Sequence, residues 1–344
     1  MKKKTISVML TLMLSAAAVF AAGCGGNAEE TDHTQEESTE GFQAEGTEDA
    51  EDSVSEGQSD RTDGGETQYP LTVTDDLGNS VTIEKEPQRV ISLSPANTET
   101  LFALGADEKI VGRTDYCTYP EEAAEVDSIG SYTSPNTELI ISLSPDVIFA
   151  SDYIDDAVRE QVENAGAKVI VFTANDLESV EQDILTAGQV LNQNQEAADL
   201  VNGMESDMEE IQGILAAKTE AKSAFIDLGD YYSAGPGSLL GSVLDDIGVE
   251  NVVADTGEAW PQVSVEKIIE SDPDVYISLF TAPEELKQVA GLSSLDCIQN
   301  DQIIYYDGLS PEADLIQRAG PRLVEGMRLL AEQIYPELFS QTEE

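Results

Sequence analysis

The sequence predicts an α/β protein of two βα lobes, each with a mostly parallel sheet, joined by one long bridging helix. Three observations carry this. Short apolar runs suited to strands alternate with helical patterns on both sides of the chain's centre. A stretch without any strand candidate separates the two groups, and an apolar stripe at helical spacing runs through it. One eighteen-residue segment occurs twice, once in each group.

Residues 1–24 read as a targeting segment rather than part of the fold. Lys2, Lys3 and Lys4 give a basic start, Ile6 to Ala22 carry no charge, and Ala21-Ala22-Gly23-Cys24 closes with small residues and a cysteine. The segment resembles a bacterial lipoprotein signal, which implies lipidation at Cys24 and a place on the outer face of the cytoplasmic membrane. A membrane span would need roughly 20 apolar residues, and this run is shorter. Residues 25–68 are mostly Glu, Asp, Ser, Thr, Gly and Gln. Such a stretch buries too little to offset its ordering entropy and is expected to be a disordered acidic tether. The net charge is −51, and −54 once the three signal lysines are removed. That excludes nucleic acid and anionic membrane surfaces as partners, since both need basic protein surface.

The folded body divides into an N-terminal lobe (69–175), a helical bridge (176–218) and a C-terminal lobe (219–344). Arg89-Val-Ile-Ser-Leu-Ser is the first strand candidate. Ser94 and Pro95 then supply an N-cap and a first-turn proline for a helix over 97–104, which Gly105 stops. Further strands are predicted at 109–112, 146–150 and 168–172. In the bridge, Ala197, Val201, Met204, Met208, Ile211 and Leu215 step by four and three, one apolar stripe on a helix of some seven turns, about 35 Å long. The βα pattern then resumes with strands at 224–228, 274–279 and 302–306, and a closing helix over 317–335.

The repeat is Tyr132-Thr-Ser-Pro-Asn-Thr-Glu138 through Pro145-Asp146-Val147, matched without a gap by Trp260-Pro-Gln-Val-Ser-Val-Glu266 through Pro273-Asp274-Val275. Each copy reads as a short helix starting near its Glu, a Pro-Asp break and a buried strand. An aromatic and a carboxylate at equal offsets point to two similar lobes, each presenting one of each.

The chemistry available is narrow. The one histidine, His33, lies in the tether, which leaves the body without a histidine-based triad, a His-rich metal pocket or a histidine-held haem. No Walker loop follows a strand, nor does G-x-G-x-x-G. Carboxylates are too abundant to single out an acid/base pair. Cys117 and Cys297 are isolated and read as unpaired, with pairing in an oxidising compartment left open. The body therefore reads as a binder without catalytic residues, metal or cofactor. Aromatics cluster where loops should leave strand ends: Tyr116 and Tyr119, Tyr132, Tyr231 and Tyr232, and Trp260, the only tryptophan. Open α/β sheets bind ligands at strand carboxyl ends, and aromatic walls suit bulky ligands.

The body resembles the substrate-binding lipoproteins of ABC importers, in the long-helix (class III) group of periplasmic binding proteins, and within it the cobalamin-binding members. The resemblance rests on the segment from Arg89 to Glu99, on Asp115-Tyr116-Cys-Thr-Tyr-Pro120, on Asn136-Thr-Glu138, on the segment from Trp260 to Glu266, and on Arg318-Ala-Gly-Pro-Arg322. It implies a monomer whose lobes clamp cobalamin or a related corrinoid. Tyr116, Tyr132, Trp260, Asp314 and Arg318 sit where that group contacts its ligand, and Tyr231 joins them from the aromatic set. The chain departs from the group in three places. Tyr132 and Ser151 each stand for a tryptophan. Gln317 stands for a glutamate, leaving Arg318 with one charge partner fewer. Glu138 and Glu266 match two docking carboxylates that meet arginines on a two-fold permease dimer, itself driven by ATPase subunits. A competing reading is the same role for a ferric siderophore; an anionic triscatecholate would want convergent cations, and Arg113, Arg318 and Arg322 are the candidates, with a solvent-facing role open for Arg322. Haem would need Tyr or Met as iron ligand. Outside transport, the alternatives are an extracytoplasmic metal-dependent enzyme on a related fold and a sensor or adhesion module.

Overall fold

The computed structural model describes residues 65–340; the predicted leader, Cys24, His33 and residues 25–64 lie outside them. Residues 65–68, which composition places in the tether, are among the described residues. Thr67 donates its backbone N–H to the Asn192 side chain at 2.7 Å, and Asn194 donates to the Gly65 carbonyl at 2.7 Å. Backbone groups that composition assigns to a tether are thus tied down by a polar corner of the body.

A hairpin of β1 (Leu71–Thr74) and β2 (Ser80–Ile83) comes first. It escapes sequence reading because Thr and Ser interrupt its apolar residues, so neither strand shows a continuous apolar run. The first sheet contains β3 (Val90–Ser92), β4 (Ile110–Arg113), β7 (Val147–Ala150) and β8 (Lys168–Val171), parallel in the order β4-β3-β7-β8. Between them lie α1 (Pro95–Ala103), the small hairpin of β5 (Gly130–Ser131) and β6 (Ser134–Pro135), α2 (Thr137–Ser142) and α3 (Asp156–Asn164). Ser94 caps α1 by accepting from the Asn97 N–H at 3.1 Å, and Gly105 follows the helix at φ +67°, where a side chain would be strained.

Two helices follow. α4 (Leu177–Leu191) and α5 (Asn194–Leu215) are separated by a left-handed turn at Asn192. They pack against each other so closely that a Cβ on Gly188 would lie 2.4 Å from the Cβ of Ala197. α5, at 22 residues, is the long helix that the stripe predicts, and all six stripe residues are buried. α4 touches α1 and β1 on one side and α6 (Leu239–Asp246) on the other.

The second sheet repeats the first in β9 (Ser223–Asp227), β10 (Glu250–Asn251), β11 (Val275–Ser278) and β12 (Ile303–Tyr305), parallel in the order β10-β9-β11-β12. Its helices are α6, α7 (Val265–Ser271), α8 (Pro283–Leu286), α9 (Asp296–Gln299) and α10 (Pro311–Gln317), before α11 (Leu323–Ile334) and α12 (Pro336–Phe339). The predicted closing helix begins six residues late, at Leu323. Arg318 is extended, at φ −99° and ψ 121°, and Gly320-Pro321 follows; the proline disfavours the helical region for Gly320, the residue before it.

Both sheets are covered on two faces, which explains strands that read as unbroken apolar runs. In the first, Val90, Val147, Phe149 and Ile170 enter a core that also contains α4, α5 and the inner face of the second sheet, including Ala224, Ile226 and Ile277. Ile91, Ile148 and Val169 enter a separate outer cluster with Ile140 of α2. In the second sheet, Phe225 and Tyr276 face outward onto Ile268 of α7. One shared core therefore joins the halves, and each half has an outer core of its own.

Candidate functional site

The repeat is structural, not only textual. Asn136 caps α2 by accepting from the Leu139 N–H, and Ser264 caps α7 by accepting from the Lys267 N–H. Glu138 and Glu266 are each the second residue of their helix and exposed. Ile140 and Ile268 are the buried anchors. Ser144 and Asp272 both turn left-handed, at φ 49° and 42°. The Asp of each Pro-Asp pair then holds the start of the neighbouring strand. Asp146 accepts from the Gln88 and Arg89 N–H groups at 2.9 and 3.0 Å, and Asp274 accepts from the Ser223 N–H at 2.8 Å.

Opposite ends of the strands differ in character. Of nine exposed large apolar residues among the described residues, Tyr116, Tyr119, Tyr153, Trp260, Phe280 and Leu309 lie in loops that leave the carboxyl ends of the parallel strands. Single exposed apolar residues need no explanation, but a concentration at one end of two sheets does. Tyr116 meets Tyr132 edge-on at 5.4 Å between ring centroids, and Tyr132 meets Tyr153 edge-on at 5.8 Å. The three come from the loop after β4, the β5–β6 hairpin and the loop after β7. Tyr153, missed in the sequence, stands two residues beyond Ser151, where the resemblance lacks an aromatic. Its sequence signal was an aromatic just past a strand end. Burial first, and Asp152 second, push its phenol above the ordinary tyrosine range.

In the second half, Tyr231 and Trp260 lie on neighbouring segments. Val263 donates to the Tyr231 carbonyl at 3.1 Å, and Gly235 donates to the Ala259 carbonyl at 2.9 Å. Trp260 is 57% exposed. Tyr231 is half-buried and packs onto the outer core beside Tyr276 and Phe225. Gly229, Asp230 and Tyr231 are consecutive left-handed residues, at φ 93°, 50° and 61°. For Asp and Tyr that conformation is strained, and it forms the tight turn leaving β9. Inside that turn, buried Asp227 accepts from the Gly229 N–H at 2.9 Å and the Tyr276 hydroxyl at 3.0 Å, and burial raises its carboxyl.

Asp314 and Arg318 form an ion pair at 2.6 Å, and Arg318 reaches across to Glu99 of α1 at 2.6 Å and to the Thr118 hydroxyl at 3.3 Å. Arg322 makes two bonds to the same Glu99 carboxylate, at 2.8 and 2.9 Å, and lies 3.7 Å over the Tyr119 ring. Arg318 has two charge partners, Glu99 and Asp314, and Gln317 beside it adds none. One sequence expectation is corrected: Arg322 does not face solvent; it is clamped between a carboxylate and an aromatic face. Glu99 is 2% exposed and sits 219 residues from Arg318, so nothing local in the sequence marks it. Burial raises the Asp314 carboxyl against the opposing pull of Arg318.

Arg113 spends its guanidinium on the main-chain carbonyls of Ala123 and Thr114 at 3.0 and 2.9 Å. Cys117 and Cys297 are free and buried, the first against Thr98 and the second in the outer core of the second half. A surface notch lined by Asp207, Val324, Glu325, Arg328, Leu329 and Glu332 shares none of the predicted residues.

Comparison with known proteins agrees with this architecture. Residues 90–308 match the periplasmic binding protein family model. The chain is 33% identical to an ABC transporter substrate-binding lipoprotein of Bacillus subtilis, over 98% of this chain and 100% of that one. It is 27% identical to a cobalamin-binding protein of Halobacterium salinarum, over 76% and 73%. A crystal structure described as a possible iron-binding, periplasmic solute-binding protein of Staphylococcus epidermidis superposes with a TM-score of 0.66 at 27% identity, over 73% of this chain and 100% of that one. Two parallel sheets in one strand order, a helical connection between them and these relatives lead to one conclusion: the chain belongs to the periplasmic binding protein family.

Proposed function

We propose that the chain is the receptor of an ABC importer, held by a lipid on Cys24 at the outer face of the bacterial cytoplasmic membrane, that captures cobalamin or a related corrinoid. The single observation that carries this is the aromatic set at the strand carboxyl ends of both halves, with exposed Tyr116 and Tyr153 packed edge-on against half-buried Tyr132 in one and exposed Trp260 in the other. A bulky, flat ligand is recognised through apolar and aromatic area, with a few placed polar groups fixing its orientation. Tyr116, Tyr132, Tyr231 and Trp260 supply the walls, and Asp314 and Arg318 supply the polar edge. The named cobalamin binder among the relatives supports the ligand class.

Delivery uses Glu138 and Glu266. Both are exposed, and both sit at the same position of equivalent helices. A pseudo-symmetric pair of carboxylates suits a two-fold permease dimer with arginines at matching places, and rim charges of this kind set register and on-rate. The shared core leaves little freedom for hinge opening, so the monomeric receptor is nearly pre-formed. Calorimetric titration of the full chain with cyanocobalamin, following Trp260 fluorescence in parallel, tests the reading. One-to-one binding with quenching of the single tryptophan is expected. Cyanocobalamin binding that leaves Trp260 emission untouched would remove it from the site, and absence of binding would sink the corrinoid assignment.

A further inference from the structure

The proposed cleft has no cation to spare, and we infer that it selects against anionic cargo, taking ligands of zero or positive net charge. The inference rests on the location proposed for the site, not on the cargo being a corrinoid. Basic residues toward the strand carboxyl ends already have partners, and Lys267, early in the helix after β10, is paired with Asp255 at 2.8 Å. Arg318 is shared between Glu99 and Asp314, and Arg322 is held by Glu99 and Tyr119. Arg159, on the helix after β7, faces Asp75 at 3.7 Å and Glu163 at 3.1 Å. Arg113, at the end of β4, gives its N–H groups to main-chain carbonyls.

Exposed carboxylates stand beside the aromatics: Asp115, Asp152, Asp230 and Asp307 are in the loops leaving β4, β7, β9 and β12. Where the exposed aromatics sit, the fixed charges therefore favour a cation, and the chain's overall charge of −51 adds a repulsive background for anions. An anionic ligand would have to break an existing arginine pair to find a partner, exposing a buried carboxylate in the process. Each uncompensated negative charge on a ligand should then weaken binding by roughly tenfold.

The test is a ligand panel on the full chain: neutral cyanocobalamin, cationic aquocobalamin, a ferric trihydroxamate bearing an ammonium group, haemin with its two propionates, and a ferric triscatecholate. Haemin and the triscatecholate should bind at least ~100-fold more weakly than the best neutral or cationic ligand. Raising salt from about 50 to about 500 mM should weaken the cationic ligands and leave cyanocobalamin unchanged. An anionic complex within about tenfold of the best ligand would overturn the inference. Binding of the cationic trihydroxamate without cyanocobalamin would uphold the charge rule and defeat the corrinoid reading, so the two fail separately. As a second arm, Asp152→Lys with Asp230→Lys should narrow the gap between cyanocobalamin and haemin by about tenfold or more; an unchanged gap counts against the inference.

Discussion

The two halves are one design executed twice, and they diverge at one end only. Strand order, the Pro-Asp clamp on the neighbouring strand, the left-handed residue before it and the buried isoleucine under the helix recur in both. At the carboxyl ends the likeness stops. The first half offers a row of tyrosines from three loops, whereas the second offers Trp260 beside a strained turn at Asp230 and Tyr231. What builds a sheet repeats; what would meet a ligand does not. A flat ligand with two unlike faces needs two unlike walls on a common frame.

The largest expected effect comes where the halves lean on each other. Glu99→Ala removes a carboxylate that holds Arg318 and Arg322 from the other half. Leaving partners of a buried pair uncompensated costs about 3–5 kcal/mol, so urea unfolding should show a loss of that order. A loss below about 1 kcal/mol would mean the contact is an ordinary surface pair. Next come Ile140→Ala and Ile268→Ala, equivalent positions at 0% and 1% exposure. Each should cost about 2–5 kcal/mol, and the two values should agree within about 1 kcal/mol if the outer cores are alike. A wide disagreement would show that the repeat shares its backbone but not its packing.

Sequence pattern reached those isoleucines, the longer strands of the two parallel sheets and the α5 stripe because each depends on neighbours within a few residues; it missed the two-residue β10 and both hairpins. It gave no separate helix for α4, because the stripe it followed begins at Ala197, beyond the left-handed turn at Asn192. It overran α11 because 318–322 is polar and short enough to read as a first turn. The Glu99 carboxylate was visible inside a motif, yet its role depends on partners more than 200 residues away. The tyrosine row was half legible: Tyr116 and Tyr132 stood out, but Tyr153 acquires meaning only from its contact with Tyr132. Local physics was written locally, and contacts made by topology were not.

A smaller effect tests the helix that touches both halves. Burial, and Asp76 beside it, push the Asp183 carboxyl of α4 up to about 9. A carboxyl raised in the folded state contributes its stability in full below the unfolded value of about 4 and loses it as pH climbs toward the folded one. The Tm of the wild type should therefore decline between those values. Asp183→Asn keeps the shape without the proton, so its decline should be shallower and its Tm higher near the alkaline end. Parallel curves for the two proteins would show that the pair is relieved in some other way.

The smallest effect on the fold belongs to the pair that the repeat displays most openly. Glu138→Arg and Glu266→Arg alter exposed residues on short helices. Losing a favourable charge near a helix N-terminus costs about 0.3–1 kcal/mol, and neither change touches the carboxyl-end aromatics. Stability and cyanocobalamin affinity should thus stay near wild type in the double variant, while uptake of labelled cyanocobalamin by cells is abolished. If the halves are equivalent toward a two-fold partner, the single variants should lose uptake to a similar extent. Unequal losses would mean the permease reads the halves as different, and a parallel loss of ligand affinity would move both glutamates out of the docking role.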